Sequence, residues 1–207
     1  KTVAKRIGSR PAVDFGLPQG RLFCFTAPVK PLQPPDTFHL QAAQGWMELG
    51  NHEEANEELE LIDAPLRVHP DVLEVRWLIH QKVENWELCE NIASALVKLA
   101  PERTTGWIHR SFALHEMKRT QEAYDELKPA LDTFKKEQLI WYNMACYACV
   151  LGNKEEAREL LGKAIELGGD AVKTQALEDP DLQGVWVSGE ALAVSDSYCV
   201  ASAGRDG

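Results

Sequence analysis

Apolar and polar positions along the middle of the chain follow a helical period, and the phase of that period repeats. Leu139 to Gly168, LIWYNMACYACVLGNKEEARELLGKAIELG, holds two amphipathic stretches broken at Gly152-Asn153. Units starting at Asp36, Pro70, Thr104 and Gln138 repeat this plan every 34 residues and fill 36–171 without an insertion. Position 20 of the units is Ala55, Cys89, Ala123 and Ala157, always small. Position 8 is Ala43, Trp77, Ser111 and Ala145, small in three of four. Position 24 is Leu59, Ala93, Leu127 and Leu161, and position 27 is Ile62, Leu96, Ala130 and Ala164. Position 14 is Leu49, Val83, Met117 and Leu151, and position 4 is Trp in the last two units, Trp107 and Trp141.

These regularities predict pairs of packed helices. Apolar residues at positions 4, 8, 11 and 14 share one helical face, and those at 20, 24 and 27 share the facing one. Small side chains at 8 and 20 let the two helices approach closely. A single pair cannot bury such a face, whereas a stack of pairs can. Gly50-Asn51 and Gly152-Asn153 stop one helix and cap the next. Thr104 and Thr120 are expected N-caps, Pro70 suits a first helical position, and Pro101 closes the second unit. Beyond Ala171 a further helix, VKTQALED, is cut at Asp179-Pro180. Residues 172–187 are expected to cap the last unit, with Leu177, Leu182 and Trp186 covering its apolar face. The tail 188–207 is rich in Ser, Ala and Gly and has no period, so a flexible segment is expected there. Residues 1–35 hold Pro11, Pro18, Pro28, Pro31, Pro34 and Pro35, which predicts an irregular arm or linker with a short apolar segment at Leu22–Phe25.

A 34-residue unit with Trp at 4, small residues at 8 and 20, and Pro or Gly near 32 resembles the tetratricopeptide repeat (TPR) of bacterial type. The resemblance covers 36–171 and is strongest in the fourth unit, through Trp141, Ala145, Leu151-Gly152-Asn153, Glu155-Glu156-Ala157, Leu161 and Ala164. The second unit is the most degenerate, with Trp77 at 8, Glu84 in place of Gly at 15 and Cys89 at 20. The resemblance implies an all-α, right-handed superhelical solenoid of four helix-turn-helix repeats with a C-terminal capping helix. It also implies that the first helices line a concave groove, and that the function is peptide or protein binding without catalysis.

Charge and cysteine content narrow the partner. The formal charge of −10 divides into +5 over residues 1–35 (six basic, one acidic) and −15 over the rest (16 basic, 31 acidic). An acidic body argues against nucleic acid, which needs a basic face. No window approaches the roughly 18–20 apolar residues that span a bilayer, so no membrane association is expected. No apolar segment follows the basic start, so no secretory signal is expected. The odd count of five cysteines favours reduced thiols and a cytoplasmic setting.

Of the candidate sites, the groove carries most. The family's groove positions place Leu40, Gln44 and Met47 of the first unit on the concave surface. The second unit contributes Leu78 and Gln81, and the third Ile108, Phe112 and His115. The fourth adds Tyr142, Cys146 and Cys149. That lining is largely apolar and suits an amphipathic helix or an extended apolar segment. Self-occupancy by the arm or the tail is the competing expectation. Family members that hold acidic chaperone tails use a clamp of Lys, Asn and Arg. The matching places here hold Leu40, Gln44, Val75, Thr105 and His109, or Glu74, Leu78, His109, Leu139 and Asn143, neither of which is a clamp. Arg76 and Arg110 both fall at position 7, normally apolar, and could receive a carboxylate or phosphate; pairing with a neighbouring Glu such as Glu60 or Glu74 is the plainer expectation. Cys146 and Cys149 form CYAC on one helix face, but no second ligand pair supplies a zinc site. No His sits in a nucleophile motif, so no catalytic residue, metal or cofactor is expected. The function expected is a protein-interaction scaffold. A chaperone for a secreted client is the alternative, with a thiol redox or metal role through CYAC behind it.

Overall fold

The computed structural model describes residues 31–186, and the descriptions below concern these residues. The apolar segment at Leu22–Phe25 and the tail 188–207 lie outside them. Helix starts recur with the sequence period. The first helices are α1 (Asp36–Glu48), α3 (Pro70–Lys82), α5 (Thr104–Glu116) and α7 (Gln138–Val150). The second helices are α2 (His52–Leu61), α4 (Trp86–Leu99), α6 (Thr120–Thr133) and α8 (Lys154–Glu178). A 3-10 turn at Pro180–Leu182 and a short helix, α9 (Gln183–Trp186), follow. Each helix packs on the next along the chain, and α1 touches α3 as α5 touches α7. The result is an all-α helical-repeat solenoid.

The small positions explain the pairing. Ala43, Ser111 and Ala145 at position 8, and Ala55, Cys89, Ala123 and Ala157 at position 20, have no exposed surface. Trp77 is the exception at position 8, and it is buried too, in a cluster with Cys89, Ala93 and Leu96. Three clusters follow one another along the stack. Leu59, Ile62 and Val72 sit in the first, Trp77 and Leu96 in the second, and Leu127, Met144 and Leu161 in the third. Core burial thus passes from unit to unit, as a one-dimensional array requires. Trp107 Nε1 donates to the Pro101 carbonyl at 3.0 Å, and Trp141 Nε1 to that of Lys135 at 3.1 Å. Both acceptors are position 32 of the preceding unit, so these two position-4 indoles pin the loops that lead into the third and fourth units.

Several local expectations are corrected. Arg103 and Arg119, not Thr104 and Thr120, are the N-caps of α5 and α6. Thr120 is instead drawn inward, where its Oγ1 lies 3.1 Å from His115 Nδ1. Position 14 is the C-cap in every unit, one residue past the last helical turn, which carries it off the buried face. Leu49 is accordingly 77% exposed. In the capping segment Leu177 is 55% exposed, because the helix turns Val172 and Ala176 inward; these two, with Leu182 and Val185, provide the cover. The path into the cap depends on Gly169, whose φ of 66° and ψ of −152° kink α8 in a region open essentially to glycine alone.

The turn between paired helices is left-handed at position 15 in all four units. It is Gly50 (φ 78°), Glu84 (φ 53°), Lys118 (φ 63°) and Gly152 (φ 89°). A side chain there costs about 1–2 kcal/mol of steric strain, partly offset by the entropy glycine loses on folding. Glu84→Gly and Lys118→Gly should therefore each stabilise the fold by about 0.5–1 kcal/mol, and Gly152→Ala should destabilise it by a similar amount. Urea midpoints at unchanged slope check all three.

Candidate functional site

A cleft of about 400 Å³ opens across α3, α5 and α7. Its apolar floor comes from positions 9, 5 and 2 of neighbouring first helices. Leu78 on α3 is 40% exposed, Ile108 and Phe112 on α5 are partly buried, and Leu139 at the start of α7 is 41% exposed. Trp77 and Trp86 both meet the Phe112 ring edge-on, at 6.3 and 5.7 Å, which fixes that ring in the floor. His109 lies flat on Trp77, with ring centroids 3.8 Å apart and 9° between planes. Neither Trp77 Nε1 nor His109 Nδ1 has a hydrogen-bond partner among the described residues. Burial lowers the His109 pKa to about 4, so the ring is neutral near pH 7.

The wall of the cleft is a strap that leaves α8 at Asp179 and ends in α9. The Tyr142 hydroxyl donates to Asp179 Oδ2 at 2.7 Å, and Cys146 Sγ lies 3.8 Å from the same oxygen. Asp181 Oδ2 lies 3.0 Å from His115 Nε2, whose Nδ1 faces Thr120. The strap therefore reaches both α7 and α5. Burial, together with the carboxylates of Asp179 and Asp181, pushes the Cys146 thiol well above the usual range, and burial raises Cys149 as well. Both thiols are covered and free, and such thiols are poor nucleophiles. Among the described residues no three His, Cys, Asp or Glu side chains converge as a metal-ligand set.

The expected groove residues separate into three groups. Leu78, Gln81, Ile108, Phe112, His115, Tyr142 and Cys146 all line the cleft. Tyr142, Cys146 and Cys149 are buried, since strap residues lie against them: an added Cβ at Gly184 would stand 3.0 Å from Cys149 Sγ. Leu40, Gln44 and Met47 do not join the cleft; Leu40 is buried in the first cluster, which also holds Leu32. Arg76 and Arg110 do not line it either. Arg76 Nη1 pairs with Glu60 Oε1 at 2.9 Å, and Arg110 pairs with Glu126, so both guanidiniums are held by second-helix carboxylates. Trp77, His109, Glu116, Asn143, Gln175, Asp179 and Asp181 also line the cleft. Of these, Gln175, Asp179 and Asp181 lie beyond the repeat, where no period signals them.

No family model and no curated protein matches the sequence. Solved structures share the fold. MamA from Desulfovibrio magneticus RS-1 superposes with a TM-score of 0.60 at 14% identity, over 75% of this chain and 91% of that one. MamA of MSR-1 gives 0.56 at 23% identity, over 66% and 78%. YrrB, described as a TPR protein with an unusual peptide-binding site, gives 0.57 at 19% identity, over 70% and 75%. The fold is that of a TPR-like helical-repeat protein.

The stacked histidine makes the cleft acid-sensitive. Its folded pKa of about 4 lies below the unfolded value of 6.5, so the unfolded chain binds the proton more readily. That contribution to stability is complete above pH 6.5 and is lost as pH falls toward 4. It should amount to about 2–3 kcal/mol, and His109→Gln should remove that part of the pH dependence. Urea unfolding between pH 7.5 and 4 measures it; an identical pH profile in both proteins would contradict the burial of this ring.

Proposed function

We propose that this helical-repeat chain is a non-catalytic interaction scaffold that takes an apolar or helical peptide segment into the cleft between α3, α5 and α7. The observation that carries this reading is the pair of large apolar side chains left open at the floor. Leu78 and Leu139 are each about two-fifths exposed while their neighbours Trp77 and Ile140 are buried. Exposed aliphatic surface in a concave site is surface that a partner's side chains can remove from water, at roughly 25 cal/mol per Å² buried. The floor spans the first helices of three units, so it offers contacts to anchors spaced along a peptide. Likeness to YrrB, a TPR protein with a peptide-binding site, is in keeping with this use of the fold. A scaffold role without catalysis is supported by the covered, raised thiols of Cys146 and Cys149 and by the solvent-shielded, neutral His109. Among the described residues no helix is long and apolar enough to cross a membrane.

Selection of a displayed random peptide library against the protein tests the proposal. Sequences rich in apolar or amphipathic helical residues are expected, and the variant Leu78→Asp/Leu139→Asp should bind them at least about tenfold more weakly at unchanged helix content. Selected peptides that ignore the double substitution would place the binding surface elsewhere.

A further inference from the structure

The formal charges lining the cleft all carry the same sign. Three carboxylates line it, Glu116 at the end of α5 and Asp179 and Asp181 on the strap, and no Lys or Arg does. Asp179 accepts from the Tyr142 hydroxyl and from the backbone N–H of Asp181, and Asp181 faces His115. Among the described residues no ion pair joins any of the three to a Lys or Arg. Arg76 on α3 and Arg110 on α5 do not line the cleft and pair with Glu60 and Glu126 on the second helices. The carbonyl end of α5 at Glu116 adds a further partial negative charge. A floor of exposed aliphatic carbon beside a wall of carboxylates without a Lys or Arg partner is complementary to an apolar side chain with a cation near it.

We propose that the occupant is a segment of a second protein that presents apolar anchors and a Lys or Arg on the same face. The anchors rest on Leu78, Ile108, Phe112 and Leu139, and the cation meets Glu116, Asp179 and Asp181. This proposal rests on the peptide-binding reading above and adds the partner's chemistry to it. The floor and the wall also fix a spacing. Phe112 and Glu116 are four apart on one helix, which places their side chains about 5–6 Å from each other. The cation therefore stands about one helical turn from its apolar anchor, three or four residues along if the segment is helical. The sign is opposite to the lesser alternative weighed for Arg76 and Arg110 in the sequence, a ligand carboxylate or phosphate.

Fluorescence anisotropy with the full chain and three labelled helical peptides of about 16 residues tests this. One carries Leu anchors with Lys four residues on, the second has Glu in place of Lys, and the third keeps the Lys residues but moves them to the opposite face. The first should bind about tenfold more tightly than either of the others, with the margin shrinking as salt rises. Glu116→Lys should reverse the order of the first two peptides; should that variant fold poorly, Gln175→Lys at the exposed edge of the same cleft serves in its place. Equal binding of the first and third peptides would show attraction to the acidic body as a whole and overturn the proposal, while the peptide-binding reading stands. Failure of all three to bind an intact fold would remove that reading as well. Residues 21–30 of this chain, RLFCFTAPVK, have the same chemistry. A tenfold or greater gain in affinity for the first peptide in full-length Arg21→Gln/Lys30→Gln would make the arm the occupant, and it too would overturn the proposal.

Discussion

Each helix pair in this chain has more apolar surface than its partner helix can cover, and the architecture follows from that excess. A residue as small as Ala or Cys at position 20 brings the second helix close enough to seal one side of the first, as the zero exposure of Ala55, Cys89, Ala123 and Ala157 shows. The other side can only be sealed by the next unit. Burial is thus handed along the stack through three successive clusters, and the stack has to be ended deliberately. At the C-terminal end the final helix cannot simply stop. Gly169 bends α8 so that Val172 and Ala176, then Leu182 and Val185, close the last face.

That closure shapes the site. To cover α7 the strap must lie against the concave positions Tyr142, Cys146 and Cys149, so the end of the groove that would otherwise have been open becomes a wall. Hydrogen bonds from Tyr142 and His115 to the strap carboxylates hold it there. What remains open is the stretch over α3 and α5 and the first turn of α7. The cleft is therefore short and sided, apolar on its floor and acidic on its wall.

Much of the fold was legible because the packing rule is local and periodic. The repeat spacing located where each helix begins, since the small, Gly and Trp positions that enforce the spacing are the ones that recur. The groove positions implied by the family resemblance include Leu78, Ile108, Phe112 and Tyr142, which line the cleft. The resemblance misplaced Leu40, which is buried in the cluster that includes Leu32, a residue ahead of the first unit. It could not find Asp179 and Asp181, because nothing in a single pass through a non-repeating strap says which side chains it faces. Nor could a position-7 arginine reveal its direction: Arg76 and Arg110 break the apolar pattern, but only the neighbouring helix decides that they turn to Glu60 and Glu126. Thr104 and Thr120 carry good capping side chains yet sit one residue inside their helices, where Thr120 is engaged by His115.

The His115–Asp181 contact has a consequence for how the array comes apart. It ties the strap to α5 of the third unit as well as to α7 of the fourth, so these two units and the cap share one cluster and one set of cross-links. A linear stack normally frays from both ends with similar ease. Among the described residues the C-terminal end is stapled across two units, while the first unit shares its cluster with Leu32 and α3. The third and fourth units and the strap should therefore open together rather than one at a time, keeping the acidic wall against α5 and α7. The Leu78 side of the floor, on α3, stands outside that staple, so the two sides of the cleft belong to different cooperative blocks.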